Sequence, residues 1–294
     1  MARNNSSMQR VAAVTGSKGF IGSHLTHALQ SEGWEVRAID LPEFDITDTK
    51  KLAPAFKGVG VVFHLAALPS IQYSIENPQE SNAVNLGGTV SVLEAAREAH
   101  VERVIFSSSS AVYGDQETMP IGEDALAQPK SPYGLQKYAG ELYCELFAGL
   151  YDLSTVCLRY FNVYGPGARA EGTYSPAIAV FLKQRAKGAP LTVTGDGTQA
   201  RDFVHVSDVV RANILAALSF NVGKGEVLNI ASGKAFSINQ IAELVGGPVE
   251  HIAPRIEPRS SLGDITRAKR LLGWEPTVLL EAGIEELKKI AGLI

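Results

Sequence analysis

The sequence predicts an α/β fold in which a doubly wound parallel sheet is joined by a smaller lobe. From Val11 onward, short apolar runs alternate with amphipathic helical stretches, and this alternation is typical of a parallel sheet with helices on both faces. A glycine-rich turn follows the first apolar run directly. After about Gly165, proline and glycine become frequent and the apolar runs shorten, which indicates the separate lobe.

The predicted elements of the sheet follow one another in the first part of the chain. Strands are predicted over 11–15, 34–40, 59–67, 101–109 and 154–162, with helices over 21–32, 79–99 and 133–150. One more core strand is predicted over 226–231, and short lobe strands over 191–194 and 249–252. We therefore predict a disordered N-terminus (1–8), a larger domain (9–164 with 206–232) and a lobe (165–205 and 233–294).

Composition excludes several classes of protein. The chain has 294 residues, of which 45% are hydrophobic and 20% charged, and a formal net charge of −4. These values suit a packed soluble core and give no basic face, so we expect no nucleic-acid partner. No apolar run is long enough to span a membrane, and Met1–Arg10 is not a secretory signal. Cys144 and Cys157 lack metal-ligand spacing, so we expect no metal site and a cytoplasmic location.

The glycine-rich turn indicates a dinucleotide site. Gly16 allows a tight turn, Gly19 lets the backbone approach a pyrophosphate, and Gly22 lets helix and strand pack closely. The N-terminus of the following helix offers free N–H groups to the phosphates. The cofactor-binding candidates of this turn are Gly16, Gly19, Phe20, Ile21 and Gly22. Asp40 ends the next strand, where a carboxylate binds ribose hydroxyls, and no Lys or Arg follows it closely, which favours NAD over NADP.

A second cluster indicates acid–base chemistry. Tyr133 and Lys137 are four residues apart on a predicted helix and therefore share a face. A nearby ammonium stabilises the phenolate and lowers the pKa of a tyrosine, so Tyr133 can serve as a general base. The run Ser107–Ser110 follows a predicted strand, and carboxyl ends of parallel strands are where open α/β sheets bind ligands.

These motifs resemble the extended short-chain dehydrogenase/reductases, and among them the UDP-galactose and UDP-N-acetylglucosamine 4-epimerases. The resemblance runs from about Val11 to Leu287. It is carried by GSKGFIG (16–22), FHLAA (63–67), NLGGT (85–89), FSSSSAVYG (106–114), SPYGLQK (131–137), LRYFNVYGPG (158–167), GDG…RDFVHVSDV (195–209) and RAKRLLGWEP (267–276). It implies a Rossmann-like doubly wound parallel sheet with a smaller C-terminal lobe that binds a nucleotide-sugar.

The resemblance also implies roles for individual residues. Asp45 and Ile46 resemble the pair at the adenine edge, and Asn85 and Tyr160 resemble contacts on the nicotinamide side. The implied cofactor set beyond the glycine turn is Asp40, Asp45, Ile46, Leu65, Ala66, Ala67, Asn85, Ser107, Tyr133, Lys137 and Tyr160. Ser109, Tyr133 and Lys137 align with the catalytic hydroxyl, the base and its activator.

The implied substrate site draws on both parts of the fold. Its candidates are Ser70, Ser109, Ser110, Asn162, Thr192, Thr194, Arg201, Arg255, Arg259 and Ser261. The run 254–257 departs from the family pattern because its arginine is displaced by one residue, so the diphosphate contact falls to Arg255 or Arg259. The segment between Asp40 and Asp45 is also short, which predicts a tight adenine pocket.

The residues after the strand-end serines favour one reaction. Related dehydratases and decarboxylases carry a carboxylate there, whereas this chain has Ser110-Ala-Val-Tyr113. Elimination lacks its proton donor, so we predict epimerisation at carbon 4 through a keto sugar. The resemblance places Ser261 where some 4-epimerases have a bulky tyrosine that narrows the sugar pocket near carbon 2. We therefore expect N-acetyl sugars to be accepted as well as UDP-glucose.

Two alternatives remain open. The chain could be a 4-keto-sugar reductase, another NDP-sugar epimerase or a dehydratase. It could also be a non-catalytic dinucleotide sensor, although such proteins usually lose the Tyr or the Lys. The resemblance further implies a homodimer that pairs helices 79–99 and 133–149, with Leu93, Leu142 and Leu146 as candidate contacts.

Overall fold

The computed structural model describes residues 10–170, 176–254 and 260–294. The strands are β1 Val11–Thr15, β2 Glu35–Ile39, β3 Val61–His64, β4 Arg103–Ser109, β5 Ser154–Tyr160, β6 Asn162–Tyr164, β7 Leu191–Thr194, β8 Ala200–His205, β9 Lys224–Ile230, β10 Ala235–Ser237 and β11 Val249–Ile252. The α-helices are α1 Phe20–Ser31, α2 Thr49–Ala55, α3 Ile71–Glu76, α4 Pro78–Asn82, α5 Gly88–Glu98, α6 Pro132–Tyr151, α7 Ala177–Ala186, α8 Val206–Leu218, α9 Ile238–Val245, α10 Thr266–Leu272 and α11 Leu280–Ile290. The expected disordered N-terminus, 1–8, lies outside the described residues.

The main sheet confirms the predicted parallel architecture. Its six strands run in the order β2-β1-β3-β4-β5-β9, and every neighbouring pair is parallel. The strand order reverses between β1 and β3, since the chain moves outward from β1 to β2 and then returns to the other side of β1. The carboxyl ends of strands on either side of such a switch point form the crevice where open α/β sheets bind ligands.

Helices cover both faces of this sheet. Val14 of β1 packs with residues of α1 and α8, whereas the adjacent Ala13 packs with residues of α2, α5 and α6. Alternate residues of a strand point to opposite faces, so a strand buried on both faces is apolar throughout. The continuous apolar run VAAVT is therefore the expected sequence for a central strand.

The lobe has its own small core. A three-stranded sheet (β10-β8-β6) and a parallel pair (β11-β7) pack with α7, α9 and α11 around Tyr164, Phe181 and Phe203. Helix α10 differs from the expected lobe assignment of 233–294, because Ala268 and Leu272 pack with α8 in the core of the larger domain. The other predicted domain boundaries stay predictions.

The predicted helix 79–99 is interrupted where it contacts the loop after β3. It consists of α4, a π-helical turn Ala83–Gly87, and α5. At the junction, a Cβ on Gly88 would lie 2.6 Å from Cδ1 of Ile46, so a larger residue there would have to displace the Ile46 side chain. The π-turn carries Asn85, one of the predicted site residues. Among the described residues, no helix has the length and apolar character that crossing a membrane requires.

Candidate active site

The glycine turn has the geometry that its sequence predicts. Gly16 has a φ of +70°, and a Cβ there would lie 2.8 Å from the backbone nitrogen of Ala66. A Cβ on Gly22 would overlap the carbonyl oxygen of Gly16, so α1 can pack onto β1 only with glycine at this position. The first and third glycines thus serve the turn and the packing.

The N-terminus of α1 fits a pyrophosphate. Gly19 precedes the helix and provides no side chain to cap its free N–H groups. In the described part of the chain, the buried hydroxyl of Ser17 has no hydrogen-bond partner either. A 12-residue helix that begins at a glycine turn and has no side-chain cap offers its first N–H groups to phosphate oxygens and forms a cradle for them.

Asp40 has a cationic neighbour that the sequence analysis missed. The backbone N–H of Lys18 donates to Oδ2 of Asp40 at 2.7 Å, and Nζ of Lys18 donates to the carbonyl oxygen of Leu41 at 2.8 Å. The same ammonium pairs with Glu43 at 3.1 Å. Lys18 belongs to the glycine turn and not to the residues that follow Asp40, among which the sequence has no close Lys or Arg. Because Glu43 pairs with Lys18, the surroundings of Asp40 keep a net negative charge, and the predicted contact of Asp40 with a ribose remains a prediction.

Asp45 and Ile46 organise the segment after β2. Oδ1 of Asp45 accepts hydrogen bonds from the backbone N–H and the hydroxyl of Thr47, and these bonds lower the pKa of the carboxyl. The side chain of Ile46 is buried against Gly88 of α5. Their predicted contact with the adenine edge remains a prediction.

A buried chain of hydrogen bonds connects the glycine turn to the π-turn. Thr15 Oγ1 accepts the N–H groups of Leu65 (3.2 Å) and Ala66 (3.1 Å), so its own proton is directed to Nδ1 of His64 at 2.8 Å. The proton of the imidazole is then on Nε2, which donates to Thr89 Oγ1 at 3.0 Å. Burial, together with the Lys137 charge, lowers the pKa of His64 to about 3, which keeps this ring neutral.

The series of hydrogen bonds ends at Asn85, whose backbone oxygen accepts a hydrogen bond from the hydroxyl of Thr89 at 2.6 Å. The side chain of Asn85 donates to Leu68 O (3.1 Å) and Gln136 Oε1 (2.8 Å), and it accepts from Leu68 N–H at 2.7 Å. Both amide protons are therefore used within the protein. Asn85 holds the loop after β3 against α6, and its direct contact with the cofactor stays a prediction.

The structure brings Tyr133 and Lys137 together on the inner face of α6, as their spacing predicts. Nζ of Lys137 lies 5.9 Å from the centroid of the Tyr133 ring and donates to the carbonyl oxygen of Ser107 at 2.7 Å. Lys137 is buried, and burial lowers the pKa of its ammonium to about 8. Tyr133 stands in the first turn of α6, where its backbone N–H donates to Ser74 Oγ at 3.1 Å.

The strand-end serines lie at the carboxyl edge of β4. Ser109 is the last residue of β4, and its hydroxyl accepts the N–H of Ala111 at 3.2 Å, which starts a short 3₁₀ turn at Ser110. Tyr160 is the residue opposite Ser109 on β5. Its hydroxyl donates to Asn213 of α8 at 2.9 Å, and burial raises its pKa. Tyr160 is therefore anchored in the core at this edge.

Asp202, which sequence reasoning missed, connects Asn162 to the loop after β9 and to the loop before α10. Its carboxylate accepts hydrogen bonds from Ser232 N and Oγ, Gly233 N and Gly263 N, at 2.6 to 3.2 Å. Its backbone oxygen accepts from Nδ2 of Asn162 at 2.8 Å. Burial raises the pKa of Asp202 to about 6, although these hydrogen bonds oppose the change.

Other substrate candidates differ in how they are held. The N–H of Ser261 donates to Ala200 O at 3.1 Å, beside Arg201, while its hydroxyl is buried and without a partner in the described chain. Thr192 is tied to Gln184 through its N–H and its hydroxyl, and Thr194 lies on the same strand β7. The hydroxyl of Ser70 begins α3 by accepting the N–H of Tyr73 at 3.1 Å. Arg255 and Arg259 lie outside the described residues.

The chain is similar to known proteins over nearly its whole length. Residues 12–231 match the model of the NAD dependent epimerase/dehydratase family. The chain is 36% identical to the UDP-glucose 4-epimerase of Thermotoga maritima, solved with UDP-glucose, with a TM-score of 0.89 and coverage of 95% of this chain and 99% of that one. The UDP-N-acetylglucosamine 4-epimerase of Methanobrevibacter ruminantium, in complex with UDP-N-acetylmuramic acid, gives 32% identity, a TM-score of 0.91 and coverage of 98% and 100%.

Other relatives carry further activities in their names. The UDP-glucuronic acid 4-epimerase of Bacillus cereus, solved with UDP-glucuronic acid and NAD, is 32% identical, with a TM-score of 0.86 and coverage of 96% and 99%. A UDP-N-acetyl-α-D-glucosaminuronate decarboxylase of Bacillus cytotoxicus is 32% identical over 95% of this chain and 97% of its own length. The chain therefore belongs to the NAD dependent epimerase/dehydratase family. It is an NAD-dependent enzyme of the epimerase class, and the cradle at α1 fits the pyrophosphate of that cofactor.

Proposed function

We propose that this enzyme interconverts UDP-hexoses by inverting carbon 4, with UDP-glucose and UDP-galactose as its main substrates. The geometry of α6 supports this most directly. Nζ of Lys137 lies 5.9 Å from the centroid of the Tyr133 ring, and α6 packs against β4, the strand that ends in Ser109. The relatives named above include 4-epimerases of three UDP-sugars, and their names support the reaction at carbon 4.

In this proposal Tyr133 takes the proton of the 4-hydroxyl and later returns it. The buried Lys137 ammonium favours the phenolate form of Tyr133, which lets a tyrosine act as a base at neutral pH. Ser109 hydrogen-bonds the same sugar oxygen and shares the developing charge. The glycine turn at the start of α1 would hold NAD, which would supply a reversible hydride acceptor for carbon 4 of the sugar. We propose that Arg201 and Asn162 hold the diphosphate while the keto sugar turns.

Dehydration and decarboxylation are less favoured by the residues after Ser109. The 3₁₀ turn Ser110–Val112 has no carboxylate that could protonate a leaving group. Glu123 follows on the same segment, but its side chain accepts the N–H of Asn229 at 2.9 Å and pairs with Arg267 at 3.6 Å. A 4-keto-sugar reductase would use the same Tyr133 and Lys137, so product analysis must separate the two reactions.

We also propose that the pocket accepts N-acetyl sugars. Ser261 occupies the position that narrows the pocket when it is a tyrosine, and a serine leaves the volume of an aromatic ring. Its buried hydroxyl has no hydrogen-bond partner among the described residues, which supports a role in binding the amide of an N-acetyl group. Such a partner matters because an unpaired buried amide costs about 1–3 kcal/mol.

The test is a substrate panel resolved by NMR. Purified protein is incubated separately with UDP-glucose, UDP-N-acetylglucosamine and UDP-glucuronic acid, with no reductant added. We expect UDP-galactose from the first and UDP-N-acetylgalactosamine from the second. A 4-keto sugar as the stable product, or turnover only when a reduced cofactor is supplied, would contradict the proposal and favour a dehydratase or a reductase.

A further inference from the structure

The inner face of α6 continues one turn beyond the catalytic pair. Tyr133, Lys137 and Glu141 are spaced at four residues, and all three therefore face the end of β4. Glu141 is only 3% exposed, and no role follows for it from the reaction itself. A buried carboxylate so close to the reacting groups requires partners, because an unpaired buried charge is strongly unfavourable.

Those partners come from the two strands next to the site. Oε1 of Glu141 accepts the hydroxyl of Ser108 in a very short hydrogen bond, and it also accepts Nε of Arg159 at 2.8 Å. Oε2 of Glu141 accepts Nη2 of Arg159 at 2.7 Å. Ser108 and Arg159 are opposite one another on β4 and β5, and both are at most 4% exposed. One carboxylate thus joins α6 to both strands.

Two consecutive residues of β4 are consequently held to α6 just before Ser109. The carbonyl oxygen of Ser107 accepts Nζ of Lys137 at 2.7 Å, and the hydroxyl of Ser108 binds Glu141 one helical turn further along. Helix and strand also touch directly, since a Cβ on Gly140 would lie 2.6 Å from the ring of Phe106. This double attachment ties the strand that ends in Ser109 to the helix that carries Tyr133.

We propose that Ser108 and Glu141 are positioning residues, which fix the hydroxyl of Ser109 relative to Tyr133 during the reaction. The inference rests on the proposed 4-epimerase activity. Neither residue touches the substrate, so their effect falls on the chemical step and not on binding. A displacement of about 1 Å between reacting groups can cost about a hundredfold in rate.

Glu141 also contributes charge to the surroundings of Lys137. Burial lowers the pKa of Lys137, and the carboxylate of Glu141 acts in the opposite direction by favouring the ammonium. The titratable and charged groups around Lys137 are Tyr133, Glu141 and Cys144 on α6, His64 on β3, and Cys157 and Arg159 on β5. Loss of Glu141 leaves Arg159 as an unbalanced positive charge nearby, which disfavours the ammonium further.

Ser108→Ala is the first test because it leaves every charge in place. Glu141 Oε1 keeps its hydrogen bond from Arg159, so the variant retains a satisfied core. We expect kcat for UDP-galactose to fall about tenfold while KM changes less than about twofold, because only the alignment of the reacting groups is lost. A kcat within about twofold of the wild-type value would overturn the positioning role.

Glu141→Gln is the second test, with Glu145→Gln as its control one turn further on the exposed side of α6. We expect the alkaline limb of the kcat–pH profile to move to lower pH in Glu141→Gln, since Lys137 loses its proton more easily. The limb should stay in place in Glu145→Gln and in Ser108→Ala. An unmoved limb in folded Glu141→Gln contradicts the electrostatic part. If Glu141→Gln does not fold, the comparison of kcat with KM in Ser108→Ala alone tests the positioning role.

The two proposals fail in different ways. If wild-type protein shows no 4-epimerase activity, or Tyr133→Phe keeps it, the proposed function is wrong. If wild-type activity depends on Tyr133 but Ser108→Ala behaves like wild type, only the positioning role is wrong.

Discussion

At the scale of single residues, the surroundings of Lys137 determine its chemistry. The ammonium is buried beside the Tyr133 ring, and burial lowers its pKa from the ordinary 10.5 to about 8. It therefore remains mostly charged at pH 7 and loses its charge as the pH rises through 8. The shared helix face of Tyr133 and Lys137 could be predicted from the sequence. The burial that lowers the pKa of Lys137 could not, because it depends on Phe106 and Ser107 of β4, which are about 30 residues away along the chain.

Tyr133→Phe removes the proposed general base without changing the shape of the ring. We expect turnover of UDP-galactose to fall by about a hundredfold or more, the usual scale for a lost acid–base group. Tyr143→Phe is the matched control, because Tyr143 lies on the exposed side of the same helix. Normal rates in Tyr133→Phe, measured by a coupled assay for UDP-glucose, would remove Tyr133 from the mechanism.

Ser261→Tyr tests the proposed gate for N-acetyl sugars. We expect kcat/KM for UDP-N-acetylglucosamine to fall at least about tenfold, since the ring fills the space beside Ala200, while kcat/KM for UDP-glucose changes little. Ser261→Ala separates the two proposed contributions, because it preserves the space and removes only the hydroxyl that we propose binds the amide. A tyrosine variant that keeps full activity on the N-acetyl sugar shows that the gate lies elsewhere.

Other residue-scale features could not be predicted from one sequence. Lys18 approaches Asp40 because the glycine turn folds back over β2, and this proximity spans 22 residues of chain. Asp202 gathers donors from two later loops. Glu141 could be identified from the sequence, because it continues the four-residue spacing of Tyr133 and Lys137. Its partner Arg159, however, is identified only by the pairing of β4 with β5.

At the scale of elements, the glycine turn shows where local sequence suffices. Its three glycines each had a predicted use, and the strain-free turn and the close packing are present in the structure. The π-turn and β8 are elements that the local sequence alone does not predict. Residues 79–99 have continuous helical spacing, yet the helix widens at Ala83–Gly87, where Asn85 bonds Leu68 and Gln136. β8 forms because β6 and β10 pair with it from both sides.

A pair of Gly→Ala substitutions measures the packing of α1. In Gly22→Ala the new methyl group overlaps the Gly16 carbonyl, so we expect the melting temperature to fall by about 5 °C or more. Gly149→Ala is the control within α6, where a Cβ meets nothing within 4 Å. There alanine should raise or maintain the melting temperature, because it favours helix by about 1 kcal/mol. Equal effects of both substitutions on calorimetric melting would contradict the packing argument.

At the scale of the whole molecule, the outer face of α6 bears a stripe of exposed leucines. Leu135, Leu142, Leu146 and Leu150 are 43% to 69% exposed, opposite the face that carries Lys137 and Glu141. We propose that this stripe pairs with its copy in a homodimer. Leu93 does not take part, contrary to the expectation from the sequence, because it is fully buried in its own domain.

Light scattering tests the dimer. We expect a mass of twice the 31.4 kDa chain at micromolar concentration, and a monomer for the double variant Leu142→Asp, Leu146→Asp. Leu126→Asp is the control, since Leu126 is 71% exposed but lies in the loop before α6 and is not part of the stripe. A wild-type monomer, or a dimer that survives the double substitution, excludes this face as the interface.

The central claim is that carbon 4 of a UDP-hexose loses and regains the same hydrogen without net oxidation. The most direct measurement uses UDP-glucose labelled with deuterium at carbon 4, purified protein with no added NAD, and NMR of the products. We predict UDP-galactose that retains the label at carbon 4, formed by the cofactor that the protein carries. Absence of UDP-galactose when NAD is present, or UDP-galactose whose label has exchanged with solvent, would contradict this account.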